Sequence, residues 1–340
     1  MDQPAPRAAA QAPHIPLTAR LTRRTALLGL AAAGAATALT PLPARAAPDV
    51  VRIALPTKTY YPTVITEAAI RQKFFDRQGI GAEATVFRGG AECIEAMAAG
   101  AADVSLGGPG IIGVAVRKGI NLKLVATSTR VNCGWFLLVR ADSPVTRVED
   151  LAGKKVGITS AGSGSDVLAL WTNEARKTPF TRVPVGGGGL VPNLKSGNLD
   201  AAVIYSPLSF ELILSKQVRV LVDYAAEMPP QLVGGWAVTG KLIADKPGVV
   251  QKTMNALYDS LLWMRANRDA AIALIAEVDE IKPDIAAMEY EQTILKLATD
   301  TSMGADELQR ALDTAKLIGI TDTAPNDQII DTRFKPVGSA

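Results

Sequence analysis

Residues 86–103 (VFRGGAECIEAMAAGAAD) and 183–200 (VPVGGGGLVPNLKSGNLD) repeat one pattern at an offset of 97 residues. The aligned positions are Val86/Val183, Gly89/Gly186, Gly90/Gly187, Met97/Leu194, Gly100/Gly197 and Asp103/Asp200. In each copy a β-rich run ends in a glycine pair and a short helix follows. A C-cap glycine then stops the helix, and an Asp opens the next strand. A unit used twice predicts two similar α/β lobes with a ligand cleft between them. Asp103 and Asp200 invite reading as a catalytic pair. Their place between a C-cap glycine and a strand, at the end away from the predicted cleft, favours turn capping instead.

The 340 residues, 48% hydrophobic and 20% charged, suffice for a large ordered core. Five of the 36 basic residues (Arg7, Arg20, Arg23, Arg24, Arg45) and one of the 33 acidic ones (Asp2) lie in the first 46 positions, which leaves 31 against 32. Without that leader the basic excess vanishes, so no nucleic-acid partner is expected. Residues 1–46 read as a cleavable signal peptide. Arg23-Arg24 precede an apolar stretch too short and alanine-rich to span a membrane, and Ala44-Arg45-Ala46 offers a cleavage site. The paired arginines fit the twin-arginine route to the periplasm.

Cleavage would remove His14, the only histidine. That excludes histidine-based triads and histidine metal sites, leaving carboxylate, Lys or Tyr chemistry for any enzyme. Cys93 and Cys133 are expected as two separate buried thiols.

Strands are expected at 50–55, 82–87, 103–106, 122–126, 135–140, 155–159, 201–205, 218–222 and 236–239, alternating with helices as in parallel sheets. From residue 247 the chain reads as helices at 249–266, 269–277, 285–300 and 305–318. The organisation expected is lobe 1 over 47–138, lobe 2 over 139–235, a return to lobe 1 over 236–323, and a surface tail over 324–340. Hinge crossings fall near 135–142 and 234–240. Ligands of such sheets sit beyond the carboxyl ends of the strands.

Taken in order, the segments AAIRQKFFDRQGI (68–80), VFRGGAECIEAMAAGAADVSLGG (86–108), GINLKLVAT (119–127), VEDLAGKKVGI (148–158) and LKSGNLDAAVIYSP (194–207) resemble the periplasmic binding proteins of ABC importers. The branch is the one serving nitrate, sulfonate, taurine and thiamine precursors. The resemblance implies an α/β, two-lobed type II (Venus-flytrap) fold, each lobe a mostly parallel sheet flanked by helices, joined by two crossings. It implies capture of a small organic anion or heteroaromatic solute and delivery to a membrane permease, without catalysis, cofactor or metal, by a monomer. The yeast-type pyrimidine synthases that share this fold use a histidine of their own active site and a cysteine-rich motif, and the mature chain is expected to have neither. A ligand-sensing receptor, or an exported enzyme using carboxylates or Lys on the same scaffold, is the alternative.

Candidate ligand contacts follow from chemistry at strand ends. Ser160, Ser163 and Ser165 offer hydroxyls and the free N–H groups of a helix start, and N-capping competes for the same groups. Gly90, Gly108 and Gly187 permit close backbone approach, although tight turns also need glycine. Thr57, Ser128, Tyr60, Tyr61, Tyr205 and Trp236 bring hydroxyls and rings to loop ends, with Trp135 read as core. Arg88 and Arg130 present planar forks suited to a carboxylate or sulfonate, against the commoner solvated role.

Overall fold

The computed structural model describes residues 48–335, so the signal peptide expected over 1–46 lies outside the described residues. The described residues form ten strands: β1 Val50–Leu55, β2 Gly81–Val86, β3 Val104–Gly107, β4 Leu122–Thr129, β5 Phe136–Arg140, β6 Lys155–Ile158, β7 Thr181–Pro184, β8 Ala201–Ile204, β9 Val218–Asp223 and β10 Gly234–Thr239. The helices that matter for function are α1 Tyr61–Arg71, α2 Gly90–Ala98, α3 Pro109–Arg117, α4 Gly164–Arg176, α5 Leu190–Lys195, α6 Leu208–Leu214, α7 Pro247–Ala266, α8 Arg268–Asp279, α9 Pro283–Gln292 and α10 Ala305–Leu317.

Two five-stranded sheets result, ordered β2-β1-β3-β10-β4 and β7-β6-β8-β5-β9. The orders are equivalent position by position. In each sheet four strands run one way and the fourth in order is reversed: β10 is antiparallel to β3 and β4, and β5 to β8 and β9. The reversed strand is always the first one after the chain has crossed from the other sheet. The repeat is therefore structural, since Val104 pairs with Ile53 as Ala201, 97 residues on, pairs with Val156.

Physical chemistry explains the shared residues. Gly100 and Gly197 adopt φ of +72° and +78°, the left-handed region that ends a helix at little cost only for glycine. Asp103 accepts the Arg52 backbone N–H at 3.0 Å and the Nε and Nη2 donors of its guanidinium, while Asp200 accepts the Lys155 N–H at 2.9 Å. Each carboxylate seals the start of the neighbouring strand, opposite the carboxyl ends where ligands bind.

The crossings lie earlier than expected. The chain passes from the first sheet to the second over residues 130–135 and returns over 224–233, so the expected boundaries at 138/139 and 235/236 shift by a few residues. Strand pairing decides this. Phe136 already pairs with Ile204 in the second sheet, and Gly234 with Thr129 in the first.

The helical C-terminal block returns to the first lobe. The 20-residue α7 lies along α1, where the Ser260 hydroxyl donates to the Ile65 carbonyl at 2.9 Å. The α8–α9 pair also meets α6 of the second lobe through α9, and α10 packs on α3. The helix expected over 285–300 ends at Gln292, because Thr293 leaves helical geometry (φ −120°) and turns its hydroxyl to Glu289 and Ser206. Cys93 and Cys133 are free and buried. Among the described residues no helix is long and apolar enough to cross a membrane.

Candidate functional site

The carboxyl ends of both sheets face a cleft of about 1120 Å³, counting its open mouth. Four helices of nine residues or more begin on it: α1 at Tyr61, α2 at Gly90 and α3 at Pro109 from the first lobe, and α4 at Gly164 from the second. Neither α2 nor α3 has a side-chain cap. Their first N–H groups lack intrahelical acceptors, and the partial positive charge of each helix start points at the cleft. None of the described residues lining the cleft carries a charged side chain. An anion there would be held by dipoles and hydrogen bonds rather than by a counter-ion.

Rings form one wall. Tyr60, Trp135 and Tyr205 meet with centroids 5.2 to 5.7 Å apart, and Tyr61 stands 4.5 Å from Tyr60. The Trp135 indole N–H donates to the Tyr60 oxygen at 3.2 Å, and Ser128 donates to Tyr61 at 2.9 Å. Burial pushes the phenols of Tyr60 and Tyr61 up and that of Tyr205 up to about 12, so all three stay neutral near pH 7. Such phenols can donate hydrogen bonds and are poorly placed to act as bases.

A second wall is the hydroxyl cluster Thr159, Ser163 and Ser165, buried and mutually bonded at 2.8 to 3.0 Å. Ser163 caps α4 by accepting the Asp166 N–H, and Ser165 accepts the Thr159 N–H. Both line the cleft as well, so capping and lining coincide in the same residues. Across from them the Thr57 hydroxyl, 6% exposed, lies beside Tyr205 but makes no well-aligned hydrogen bond among the described residues. An orphaned buried hydroxyl facing a cleft is a group that a ligand can satisfy.

Of the expected contacts, Thr57, Tyr60, Tyr61, Gly90, Gly108, Ser163, Ser165 and Tyr205 line this cleft. Arg88, Ser128, Ser160, Gly187 and Trp236 are not in the lining, each for a local reason. The Arg88 side chain is 75% exposed near Glu92, and its carbonyl accepts the Gly187 N–H at 3.1 Å. Ser128, inside β4, supports Tyr61 from behind. Ser160 and Gly187 sit where the lobes touch: a Cβ on Gly89 would fall 2.4 Å from the Ser160 hydroxyl, and one on Gly187 2.6 Å from the Thr57 methyl. Trp236 is buried in the middle of β10.

The two tryptophans thus exchange roles. Because β5 begins at Phe136, Trp135 is the last residue of the first crossing and lines the cleft; because β10 begins at Gly234, Trp236 is core. Sequence reasoning also missed Asn132, Met228 and Gln231 of the crossings and Ala311 and Thr314 of α10. Their signal was the crossings' position, which only strand pairing reveals.

Arg130, a weaker candidate, is a strut. It bonds Asp300, Glu307 and Ser302, tying the first crossing to the segment that leads into α10. Arg130→Ala should therefore cost about 2 kcal/mol, chiefly by leaving the half-buried Glu307 carboxylate unpaired. Arg88→Ala should stay within about 0.5 kcal/mol. Urea unfolding midpoints compare the two, and equal effects would refute the assignment.

Below Tyr205 lie two buried carboxylates. Among the described residues neither oxygen of Asp279 has a partner, while Glu289 accepts from Thr293 at 3.0 Å. Burial, with Glu289 nearby, pushes Asp279 up to about 8, and burial pushes Glu289 up to about 7. Neither lines the cleft. Among the described residues no cluster suited to a metal ion occurs.

A family model described as NMT1/THI5 like matches residues 64–271. A Brucella abortus protein that carries the name of a binding protein, with no ligand stated, is 24% identical over 259 residues, 72% of this chain and 78% of its own. The 2'-hydroxybiphenyl-2-sulfinate desulfinase of Rhodococcus erythropolis is 28% identical over 197 residues, 42% of this chain and 53% of its own. Among solved structures, the alkanesulfonate-binding protein SsuA of Xanthomonas axonopodis bound to MOPS superposes with a TM-score of 0.70 at 19% identity, covering 84% of this chain and 97% of that one. A Candida albicans protein described as having the generic periplasmic binding protein fold gives 0.72 at 15% identity, covering 86% and 99%. With the family model spanning more than half of its length, the chain belongs to the NMT1/THI5-like family and has the two-lobed periplasmic binding protein fold.

Proposed function

We propose that this protein is the periplasmic solute-binding component of an ABC importer, which captures a small organic anion of the sulfonate type and delivers it to the permease. The observation that carries this reading is a neutral, ring-walled cleft between two lobes, facing four helix starts, with an orphaned buried hydroxyl at Thr57. A sulfonate spreads one charge over three acceptor oxygens, which suits convergent N–H and O–H donors. Sulfonate binding in the Xanthomonas relative's name agrees. Closure of the lobes would bury the ligand and present one surface to the permease.

The Rhodococcus desulfinase raises a second reading, hydrolysis of a sulfinate in the same cleft. Against it, the described residues of the lining include no cysteine, histidine, carboxylate or amine to serve as nucleophile or base. A thermal-shift series over alkane- and arenesulfonates tests both readings. A ligand at 100 times its Kd should stabilise the fold by about 2.7 kcal/mol. The absence of a shift with any sulfonate contradicts the binding reading, and release of sulfite from a sulfinate in the same samples would support the enzyme.

A further inference from the structure

Beyond its polar walls the cleft has an apolar chamber. The first lobe contributes Ile94, Leu106 and Ile111, the second crossing Leu232, and α10 the small residues Ala311 and Ala315, one turn apart. Val167 and Leu168 of α4 and Met228 close it from the side of the second lobe. The α10 wall is fixed in place. Gly110 lies so close to Ala315 that a Cβ there would stand 2.7 Å away. The Leu232 N–H donates to the Glu307 carbonyl at 3.1 Å, Arg310 donates to the Pro230 carbonyl at 2.7 Å, and Thr314 donates to Gln231 at 2.8 Å.

We infer that the cleft selects a monoanion with an uncharged apolar body, aryl or long alkyl, lodged between α3, α4 and α10 while its anionic head meets the helix starts. The inference rests on the binding reading above and narrows its substrate class. Two features of the lining carry it. The side chains lining this part of the cleft are apolar, with Ala311 presenting only a methyl group beside large aliphatic neighbours, so a body of that kind gains burial. Among the described residues no carboxylate lines the cleft, so a zwitterion such as taurine would bury its ammonium without a partner.

Calorimetric titration of the protein with taurine, propane-1-sulfonate, octane-1-sulfonate and naphthalene-2-sulfonate tests this. Burial at about 0.8 kcal/mol per methylene corresponds to roughly fourfold in affinity, so octane-1-sulfonate should bind at least about 100-fold tighter than propane-1-sulfonate. Naphthalene-2-sulfonate shows whether a ring is accepted as well as a chain. Taurine, equal in length to propane-1-sulfonate, should bind more weakly still. Ile111→Ala and, separately, Ala311→Phe should reduce the octane-to-propane ratio to below about ten. Equal affinities across the series, or taurine ahead of propane-1-sulfonate, would overturn the inference and leave the binding reading standing. No binding by any member would overturn both.

Discussion

Gly187→Val should weaken ligand binding by about 30- to 150-fold, the equivalent of overpacking by 2–3 kcal/mol at a contact that closure requires. A Cβ at this position falls 2.6 Å from the Thr57 methyl of the opposite lobe and equally close to the Tyr205 hydroxyl of its own. The Gly187 N–H also donates across the cleft to the Arg88 carbonyl. A side chain here forces the lobes apart. The ligand then meets fewer donors at once, and the population able to enclose it shrinks. Gly188→Ala is the control one residue away, since its Cβ would meet nothing within 4 Å, and it should bind as the parent does. Equal affinity of Gly187→Val and the parent would mean that binding does not need the lobes in contact.

Stability should fall as pH rises from about 4 to about 8, and Asp279→Asn should flatten that slope. The folded state holds protons on Asp279 and Glu289 that the unfolded chain releases near the ordinary carboxylate range, because burial raises both groups. Over that window the native state binds more protons than the unfolded one, so the free energy of unfolding decreases with pH. Above about 8 the effect is complete, and below about 4 it is absent. A shift of this size in a buried carboxyl amounts to an effect on the order of 3–5 kcal/mol. The position of Asp279 at the last residue of α8 adds to the cost of its charge, since that helix end is already negative. The exposed Lys58, paired with Glu280 at 2.6 Å, offsets it only in part. Urea titrations at pH 5 and pH 8 should find Asp279→Asn close to the parent at the lower pH and clearly more stable at the higher. A parent that is more stable at pH 8 than at pH 5 would show that these carboxyls are ionised in the fold.

Much of the architecture was legible because its signals are local. Strand-helix alternation, C-cap glycines and the aspartates that clamp neighbouring strands announce themselves within a few residues, and Val50–Leu55 forms the strand that its β-branched run predicts. The crossings were harder to read. Trp135 runs straight into the apolar Phe136–Arg140, and nothing nearby marks where the strand begins; pairing with Ile204 and Asp223 decides it. That shift of a few residues exchanged the parts of Trp135 and Trp236. Ala311 and Ala315 were invisible for another reason. They lie more than 200 residues from Tyr60 and look like ordinary helix positions until α10 is docked on α3 and on the second crossing. The glycine pairs repaid attention in an unexpected way: Gly90 lines the cleft, while Gly89 and Gly187 set how closely the lobes approach.

The most direct test of two lobes closing on an apolar-bodied anion is calorimetric titration of the protein with octane-1-sulfonate, repeated on Gly187→Val. The structure predicts one site with a negative heat-capacity change, from burial of the apolar body, and a loss of affinity of about 30-fold or more in the variant. Absence of binding by the parent, or binding that Gly187→Val leaves untouched, would contradict the account.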